Sequence, residues 1–316
     1  MIAFVVIFLL TGLILYLAFV YTAHKDYKER KENPGHTPHT YNKSGEFSYK
    51  PNPHPLFSPK PRDDIFLSLV FPAYNEEKRL APALERTIKF FSQKSFKYEI
   101  IIVNDGSKDR TFELIKQQMK LYNNVEIIGV TYDKNGGKGY AVRTGMQYVR
   151  GEFVLMLDSD GATDIRDYDR LFEGIKEKGC ALAIGSRKII TEKANRVWYR
   201  NIMGVINNFI VRTLIGIGEI KDTQCGFKLF TKEAAQIIFG NLHLVRWAFD
   251  VDMLYICKKR NIYIKEVPVT WQEIAGSKLM LLPATISFFR DYFAMLTFYN
   301  TGFWTYNREQ SLISAN

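Results

Sequence analysis

The chain has 316 residues, of which 47% are hydrophobic, and a formal net charge of +10. This composition is that of a folded protein with a sizeable core and excludes an intrinsically disordered chain. The positive charge suits three kinds of anionic partner: nucleic acid, an acidic membrane surface or a phosphorylated substrate. The three cysteines, Cys180, Cys225 and Cys257, are isolated along the chain, which disfavours a disulfide framework and a structural zinc site.

The first segment predicts a membrane anchor. Residues 2–21 carry no charge and consist largely of Ile, Leu, Val and Phe, and about 20 apolar residues in a helix span the ~30 Å hydrocarbon core of a bilayer. We therefore expect residues 1–22 to form a transmembrane helix. A secretory signal peptide, the alternative, fits less well because the run is long and no basic residue precedes it.

A basic cluster follows this apolar run and comprises Lys25, Lys28, Arg30 and Lys31. By the positive-inside rule, this cluster places the rest of the chain in the cytosol. Residues 23–64 are predicted to form a basic, proline-rich linker, because seven of the eleven prolines lie within residues 33–62. Such density favours an extended linker over a packed element. Four of the five histidines also lie here at irregular spacing, which is typical of solvated loop residues and not of a metal site.

From residue 65 the pattern changes to short apolar strands that alternate with helices. The predicted strands are 66–71, 99–103, 125–130, 153–157 and 181–184, and the predicted helices lie near 77–92, 109–122, 138–149 and 167–178. Such alternation is typical of an α/β protein with a doubly wound, mostly parallel sheet. Ligands bind such sheets at the carboxyl ends of the strands, so the polar residues after each strand are candidates for chemistry.

The last stretch, Leu279–Trp304, is apolar and aromatic, but the charged pair Arg290 and Asp291 interrupts it. A second transmembrane span would bury this charge at a cost. We therefore expect residues 276–316 to form interfacial helices with aromatic side chains at the level of the lipid headgroups. A buried helix at the edge of the domain is the alternative. Residues 197–217 are a second candidate for a membrane-facing surface.

Four polar clusters follow predicted strands. They are Phe71–Glu77 (FPAYNEE), Val103–Ser107 (VNDGS), Asn135–Gly139 (NGGKG) and Asp158–Gly161 (DSDG). The glycine-rich cluster is not a P-loop, and no G-x-G-x-x-G follows the first strand, which disfavours a dinucleotide-binding oxidoreductase. Its glycines still allow a diphosphate close to a helix N-terminus, where Lys138 adds charge. The pair Asp158 and Asp160 on a tight turn suits a hard divalent cation.

Together these clusters resemble the family 2 glycosyltransferases of the GT-A fold, in the family's order and approximate spacing over about residues 66–275. Later blocks are similar to the polyprenyl-phosphate glycosyltransferases of this family: Gly185–Arg187 (GSR), Asp222–Phe230 (DTQCGFKLF), Trp247–Asp252 (WAFDVD), Glu266–Trp271 (EVPVTW) and Gly276–Leu279 (GSKL). The resemblance implies a GT-A catalytic domain over residues 65–275.

The resemblance also implies a role for each matching residue. The residues implied to bind the nucleotide sugar are Pro72, Tyr74, Glu76, Asp105, Lys138 and Asp158. Asp105 would accept a hydrogen bond from the base, and Asp160 would hold the metal together with Asp158. Arg187 and Arg200 would grip the acceptor phosphate, because the planar guanidinium forks suit phosphate oxygens. Lys278 would assist them at the membrane edge. The implied catalytic residues are Asp160, Arg187 and Arg200.

The implied activity is an inverting transfer of glucose from UDP-glucose to dolichyl phosphate at the endoplasmic reticulum membrane, for protein N-glycosylation. The expected partners are these two substrates and membrane lipid, and not nucleic acid; the expected cofactor is Mg²⁺ or Mn²⁺. Two alternatives stay open. One is the same chemistry with GDP-mannose. The other is a non-catalytic membrane protein that keeps the fold as a nucleotide- or lipid-binding module, which the intact Asp158 and Asp160 pair disfavours.

The sequence departs from the family's pattern at two positions. Ala162 stands where mannose-using relatives often have a glutamine that binds the metal, so either Asp164 replaces that ligand or the metal is held mainly by phosphates. Asp252 stands where relatives tend to have glutamate. No side chain is expected to act as general base, because a phosphate acceptor with a second pKa of about 6 is already anionic. Asp250 is expected to orient the acceptor site or to cap a helix.

Overall fold

The structure is a computed structural model and describes residues 11–12, 14–22, 25, 39–41, 47–48, 64–187, 211–213, 216–272, 274 and 281–306. Nine described strands form one sheet. They are β1 (His39–Tyr41), β2 (Phe47–Ser48), β3 (Leu67–Ala73), β4 (Tyr98–Asn104), β5 (Glu126–Thr131), β6 (Phe153–Met156), β7 (Ala181–Ser186), β8 (Lys228–Thr231) and β9 (Tyr263–Pro268). Their order across the sheet is β2-β1-β5-β4-β3-β6-β8-β7-β9.

The described helices pack around this sheet. They are α1 (Leu80–Phe91), α2 (Thr111–Leu121), α3 (Lys138–Met146), α4 (Tyr168–Ile175), α5 (Lys232–Asn241), α6 (Phe249–Lys259) and α7 (Leu281–Asn300). All five predicted strands and all four predicted helices are found within three residues of their predicted bounds. The α/β prediction is therefore confirmed.

The sequence of each element explains its place. All residues of β3 but one are buried, as expected of a strand near the middle of a sheet that helices cover. The buried residues of α1 include Leu80, Leu84, Ile88 and Phe91, and this spacing of three or four positions makes the apolar stripe of a surface helix. In register, Ala73 of β3 lies beside Asn104 of β4, and Asn104 beside Thr131 of β5. The parallel strands thus end together at one edge.

The seven strands β3 to β9 form a mostly parallel sheet, as predicted, and one of them runs in the opposite direction. Strands β3 to β6 are parallel as expected, and β7 pairs in parallel with β9. However, β8 lies between β6 and β7 and is antiparallel to both, so the sheet is mixed. This strand is only four residues long, and three of them, Lys228–Phe230, belong to a block that the sequence marked as a motif and not as a strand.

The proline-rich stretch also differs from its prediction. Residues His39–Tyr41 pair antiparallel with Gly129–Thr131 of β5, and β2 pairs with β1. The expectation that this stretch holds no packed element is therefore wrong for these two strands. They lie on the edge of the sheet beside β5, where a short antiparallel pair covers backbone groups that would otherwise be unpaired.

Among the described residues, no helix combines the length and the apolar character that a membrane crossing needs. Residues 1–10 and 13 of the predicted anchor lie outside the described part of the chain. Residues 14–22 are helical, and the rings of Tyr16 and Phe19 pack edge-on against Phe293 of α7, with centroid distances of 5.7 and 5.4 Å. One face of α7 is buried through Met295 and Phe298, while Phe293 is 47% exposed. The alternative prediction, a buried helix at the edge of the domain, therefore fits one face of α7 but not the face that carries Phe293.

Candidate active site

The loops after β3 and β4 are tied together at the carboxyl edge of the sheet. Asn75 has a positive φ of 53°, its backbone N–H donates to Ser107 Oγ at 2.9 Å, and its Oδ1 accepts from Lys108 N at 2.7 Å. The carbonyl of Pro72 accepts a hydrogen bond from Ser159 Oγ at 2.8 Å. Tyr74 lies in the same loop and is half-buried. These bonds hold the FPAYNEE, VNDGS and DSDG loops side by side.

Glu76 belongs to an acidic and basic group that faces Asp160. Both carboxylate oxygens of Glu76 accept from the Arg79 guanidinium, at 2.6 Å each. Arg79 Nη1 also lies 4.0 Å from Asp160 Oδ2. Glu76 is therefore paired with Arg79, a residue that was not predicted from the sequence. Arg79 lies between Glu76, a predicted donor residue, and Asp160, a predicted metal ligand.

Asp105 links the loop after β4 to the glycine-rich loop. Its Oδ1 accepts from Gly136 N at 2.7 Å and its Oδ2 from Gly137 N at 3.0 Å, and Asn135 Nδ2 donates to Oδ2 at 2.8 Å. Gly137 has a φ of 100°, which a side chain would make costly. Burial raises the pKa of Asp105 to about 6, although the Gly136 and Gly137 amides and the charge of Arg246 act to lower it. The carboxylate thus shapes the pocket that it was predicted to line.

Lys138 opens α3 and brings the glycine-rich loop to the DSDG loop. Its Nζ lies 2.5 Å from Asp158 Oδ1. Burial alone would raise the pKa of Asp158, but the positive charges of Lys138, Arg187 and Lys228 together, with Lys138 as the main contributor, hold this pKa below its usual value. The Asp158 carboxylate lies flat on Gly226, where an added Cβ would stand only 2.1 Å from Oδ2. Two residues predicted for the nucleotide site are therefore in contact.

Asp160, the second candidate metal ligand, is partly exposed, as is Asp158. Its Oδ1 accepts from Ala162 N at 3.0 Å, and its side chain is 28% exposed. Among the residues that the structure describes, no group of three or more His, Cys, Asp or Glu side chains is arranged to hold a metal ion. Mg²⁺ is commonly held by one or two carboxylates, with water and substrate phosphates as the other ligands. Asp158 and Asp160 fit a divalent cation of this kind.

Asp164 is engaged elsewhere. Its Oδ1 accepts from Arg166 N at 3.0 Å and caps the short 3-10 helix Ile165–Asp167, and its Oδ2 lies 2.5 Å from Arg166 Nη2. The hydrogen bonds from Arg166 lower the pKa of Asp164. Ala162 has no ligand atom in its side chain, and the Asp164 carboxylate is paired with Arg166. Neither position therefore offers a third metal ligand in this arrangement.

Arg187 follows β7 and is held by Asp222. Arg187 Nε donates to Asp222 Oδ2 at 2.7 Å, Nη2 donates to Oδ1 at 2.8 Å, and the backbone N–H donates to Oδ2 at 3.0 Å. Asp222 N in turn donates to Glu266 Oε1 at 2.8 Å. The guanidinium also lies over Trp271, 5.7 Å from the ring centroid. This bidentate pair fixes the plane of the guanidinium, as a phosphate-binding arginine requires.

A second ion pair is buried behind the site. Lys228 Nζ donates to Asp250 Oδ1 at 2.6 Å and also to the Cys225 carbonyl. Lys228 is 0% exposed and Asp250 is 4% exposed. Asp250 lies in the first turn of α6, where a negative charge is favourable. Burial alone would lower the pKa of Lys138. The charges of Asp158 and, to a smaller extent, Asp250 outweigh burial and raise this pKa.

Asp252 has a structural role. Its Oδ2 accepts from the backbone N–H groups of His243 and Leu244 at 2.7 and 2.9 Å, and its Oδ1 accepts from Tyr299 OH at 2.7 Å. Burial raises the pKa of Asp252 to about 6, although these hydrogen bonds oppose the shift. Asp252 therefore connects α7 to the loop before α6. The Val245 carbonyl in this loop accepts a hydrogen bond from Tyr140 N of α3 at 2.8 Å.

The structure brings most of the predicted site residues to one edge of the sheet. The charges of Lys138, Arg187 and Lys228 all act on Asp158, so the donor and acceptor candidates are neighbours. Arg200 and Lys278 lie outside the described residues, and their roles stay predictions. Sequence reasoning missed Arg79, Asp222 and Lys228. A lysine inside the apolar run of β8 was the available signal for Lys228, because a buried lysine needs a partner.

Comparisons with known proteins show the family of the chain. The profile of "Glycosyl transferase family 2" matches residues 68–239. A dolichyl-phosphate β-glucosyltransferase of Dictyostelium discoideum is 42% identical over 255 residues, which cover 77% of this chain and 78% of the relative. The human dolichyl-phosphate β-glucosyltransferase is 40% identical over 75% of this chain and 77% of its own. One from Trichomonas vaginalis is 35% identical over 95% of this chain and 94% of its own.

Solved structures show the same fold at low identity. Mannosyl-3-phosphoglycerate synthase from Rubrobacter xylanophilus has a TM-score of 0.57 and 16% identity, and covers 85% of this chain and 83% of its own. Mycobacterium tuberculosis glucosyl-3-phosphoglycerate synthase, in complex with Mn²⁺, UDP-glucose and phosphoglyceric acid, has a TM-score of 0.51 and 15% identity. The alignment covers 75% of this chain and 80% of that synthase. The family profile and the curated relatives show that the chain belongs to glycosyl transferase family 2 and, within it, to the dolichyl-phosphate β-glucosyltransferases.

Proposed function

We propose that the protein transfers glucose from UDP-glucose to dolichyl phosphate and gives dolichyl β-D-glucosyl phosphate for protein N-glycosylation. The observation that carries this proposal is the convergence of Asp158, Asp160 and Arg187 at the carboxyl edge of the sheet. The family of the chain agrees with it, because relatives over three quarters of its length are named dolichyl-phosphate β-glucosyltransferases.

The donor nucleotide is proposed to lie across the loops after β3, β4 and β5. Asp105 lies 3% exposed between two of these loops and takes the base, while Pro72, Tyr74 and Glu76 line the same pocket. The Lys138 and Asp158 pair completes it, because a lysine ammonium and a carboxylate can bind a phosphate and a sugar hydroxyl, respectively. Support for this arrangement is that Asp105 and Lys138 both join the glycine-rich loop to neighbouring loops.

The acceptor phosphate is proposed to bind Arg187, with Arg200 and Lys278 as further cations. Asp222 holds the Arg187 guanidinium in a fixed plane, so little side-chain entropy is lost when the phosphate binds. The phosphate oxygen is already anionic near neutral pH. It attacks the anomeric carbon opposite the departing UDP, so the carbon is inverted, and no side chain has to remove a proton.

The proposed metal is Mg²⁺ or Mn²⁺, which would neutralise charge on the departing diphosphate when bound. Asp160 would hold it, with Asp158 beside it. Asp160 is suited to this task because Arg79 approaches only to 4.0 Å from its Oδ2. The contribution of the protein is then to fix both carboxylates and the arginine relative to the anomeric carbon, which is the positioning on which such a transfer depends.

The membrane arrangement is proposed to be a single N-terminal span with the catalytic domain in the cytosol, at the endoplasmic reticulum. The basic cluster at residues 25–31 supports this orientation. The contact of Tyr16 and Phe19 with Phe293 would place α7 near the membrane surface. Lipid-facing α7 would then carry the acceptor-binding edge of the domain close to the headgroups.

A transfer assay with three donors tests this function. The full chain in detergent is given dolichyl phosphate with UDP-glucose, UDP-N-acetylglucosamine or GDP-mannose, and the lipid product is measured. We expect UDP-glucose to be used at least about tenfold better than the others, a margin of 1.4 kcal/mol. Preference for GDP-mannose would assign the alternative donor. Binding of UDP without transfer from any donor would assign a non-catalytic module.

A further inference from the structure

Lys228 is a buried charge that the proposed chemistry does not use. Its side chain is 0% exposed, although lysine is rarely fully buried without a partner. The ammonium donates to Asp250 Oδ1 at 2.6 Å and to the carbonyl of Cys225, three residues earlier. The second bond closes the backbone between Cys225 and Lys228 into a loop. A fully buried ammonium that fixes a backbone carbonyl in this way points to a positioning task.

The loop that Lys228 closes supports the donor carboxylate. Gly226 lies directly beneath Asp158, and an added Cβ would stand 2.1, 2.4 and 2.5 Å from Oδ2, Cγ and Oδ1 of that residue. Since there is room for a hydrogen and nothing larger, a small displacement of Gly226 would move the Asp158 carboxylate. Lys228 itself pairs in register with Met156, two residues before Asp158. Lys228 is thus connected to Asp158 in two ways: through the pairing of β8 with β6, and through the loop 225–228 that contains Gly226.

The same segment also supports the acceptor arginine. Asp222 stands at its start and holds Arg187 by two side-chain hydrogen bonds. Phe227, near its end, accepts from the N–H of Gly185 at 2.8 Å, two residues before Arg187. Residues 222–228 therefore touch Asp158 on one side and Arg187 on the other.

We infer that Lys228 is a positioning residue, which fixes residues 222–228 and thereby sets the distance between the donor site at Asp158 and the acceptor site at Arg187. This inference rests on the proposed function, since it needs UDP-glucose on one side and dolichyl phosphate on the other. Asp250 acts as the counter-ion that makes the buried ammonium tolerable.

The test separates positioning from stability. Lys228→Met alone would leave Asp250 buried without a partner, which is strongly destabilising, whereas removal of both charges of a buried pair is often neutral. The first variant is therefore Lys228→Met combined with Asp250→Leu. The second is Lys228→Arg, which keeps the charge but replaces the compact ammonium by a planar fork. Arg170→Ala, which removes an exposed arginine paired with Asp167 on α4, is the control.

Two quantities are measured with UDP-glucose and dolichyl phosphate in detergent. The first is the ratio of lipid-linked glucose formed to UDP released, because loosened geometry lets water attack the anomeric carbon and yields free glucose and UDP. We expect the double variant to fold and this ratio to fall about tenfold to a hundredfold, the range of one lost charge-assisted hydrogen bond. The second is the affinity for UDP-glucose without acceptor, which should weaken about twofold to tenfold because Asp158, the proposed partner of a sugar hydroxyl, is no longer held; an unchanged affinity would contradict the link between Lys228 and Asp158.

The control should keep a ratio close to that of the original chain. A folded double variant with an unchanged ratio would overturn the inference. If the double variant does not fold, Lys228→Arg decides: a lowered ratio supports positioning, and an unchanged ratio overturns it. Failure of the proposed function would be seen separately, as absence of glucose transfer by the unaltered chain.

Discussion

Replacement of Arg187 by alanine should raise the KM for dolichyl phosphate far more than the KM for UDP-glucose. The structure sets the magnitude. Arg187 is oriented by Asp222 through side-chain bonds of 2.7 and 2.8 Å, so a phosphate meets a guanidinium that is already in place. A hydrogen bond to a charged group contributes about 1.5–3 kcal/mol. Loss of one such bond raises the KM about tenfold to a hundredfold, since 1.4 kcal/mol corresponds to a factor of ten.

The variants must separate binding from folding. Arg187→Ala leaves the buried Asp222 without its cation, and breaking a buried pair in this way costs about 3–5 kcal/mol of stability. The KM is therefore measured at a temperature where the melting curve shows the variant to be folded. Arg187→Lys keeps the charge but loses the bidentate fork, so it should be more stable and show an intermediate KM.

Arg170→Ala is the matched control. Arg170 also pairs with an aspartate, since its Nη1 lies 2.8 Å from Asp167 Oδ1, but its side chain is 56% exposed on α4. An exposed pair contributes about 0–1 kcal/mol, so neither KM should change by more than a few fold. If Arg187→Ala weakened the use of UDP-glucose alone, the arginine would belong to the donor site and the reasoning would be refuted. Arg200→Ala is expected to behave like Arg187→Ala.

Three further predictions concern the metal, the base pocket and the topology. Asp160→Asn should lower turnover about 10²–10³-fold, the usual cost of lost electrostatic stabilisation of a leaving group, and full activity of this variant or of the original chain in EDTA would exclude the role. Because the pKa of Asp105 is raised to about 6, this carboxyl gains a proton as the pH falls through that value and no longer accepts from both glycine amides. Uridine, which carries no phosphate, should therefore bind more weakly below pH 6, and calorimetry showing constant affinity from pH 5 to 8 would contradict this. Protease added to sealed microsomes should digest the chain after residue 25, whereas complete protection would reverse the topology.

The fold was predictable where one local pattern decides it. Strand and helix periods alternate from residue 65, so β3 to β6 and the helices between them could be placed from sequence. The antiparallel β8 could not, because it pairs with residues far away in sequence. Its partners are Phe153–Met156, 72 to 78 residues earlier, and Leu182–Ile184, 44 to 48 residues earlier, and a short apolar run gives no strand direction. The pairing of His39–Tyr41 with β5 was hidden for a similar reason, since an edge strand needs little apolar sequence.

The same distinction applies to the site. Residues that directly follow a strand, such as Asp105 and Asp158, could be predicted because the sheet brings strand ends together. Their partners could not, because each partner comes from a different part of the chain: Asp222 is 35 residues from Arg187, and Asp250 is 22 residues from Lys228. Sequence shows which charges need compensation but not which opposite charge supplies it. A buried lysine in an apolar strand is therefore a useful warning even when its partner is unknown.

The identity of Asp250 as a counter-ion leads to a prediction about the mechanism itself. A general base must reach the proton that it removes, at about 2.6–3.2 Å or through one water. The Asp250 Oδ1 is instead 2.6 Å from the Lys228 ammonium, and the side chain is 4% exposed. The proposed acceptor has no proton to lose at neutral pH, since its second pKa is about 6. Asp250→Asn should therefore retain much more activity than Asp160→Asn, and its pH profile should still follow the acceptor phosphate. Suppose instead that Asp250→Asn bound both substrates normally but had no measurable turnover, and that an ionisation in the original profile vanished in this variant. Then Asp250 would be a base, and the transfer would not rely on positioning and leaving-group stabilisation alone.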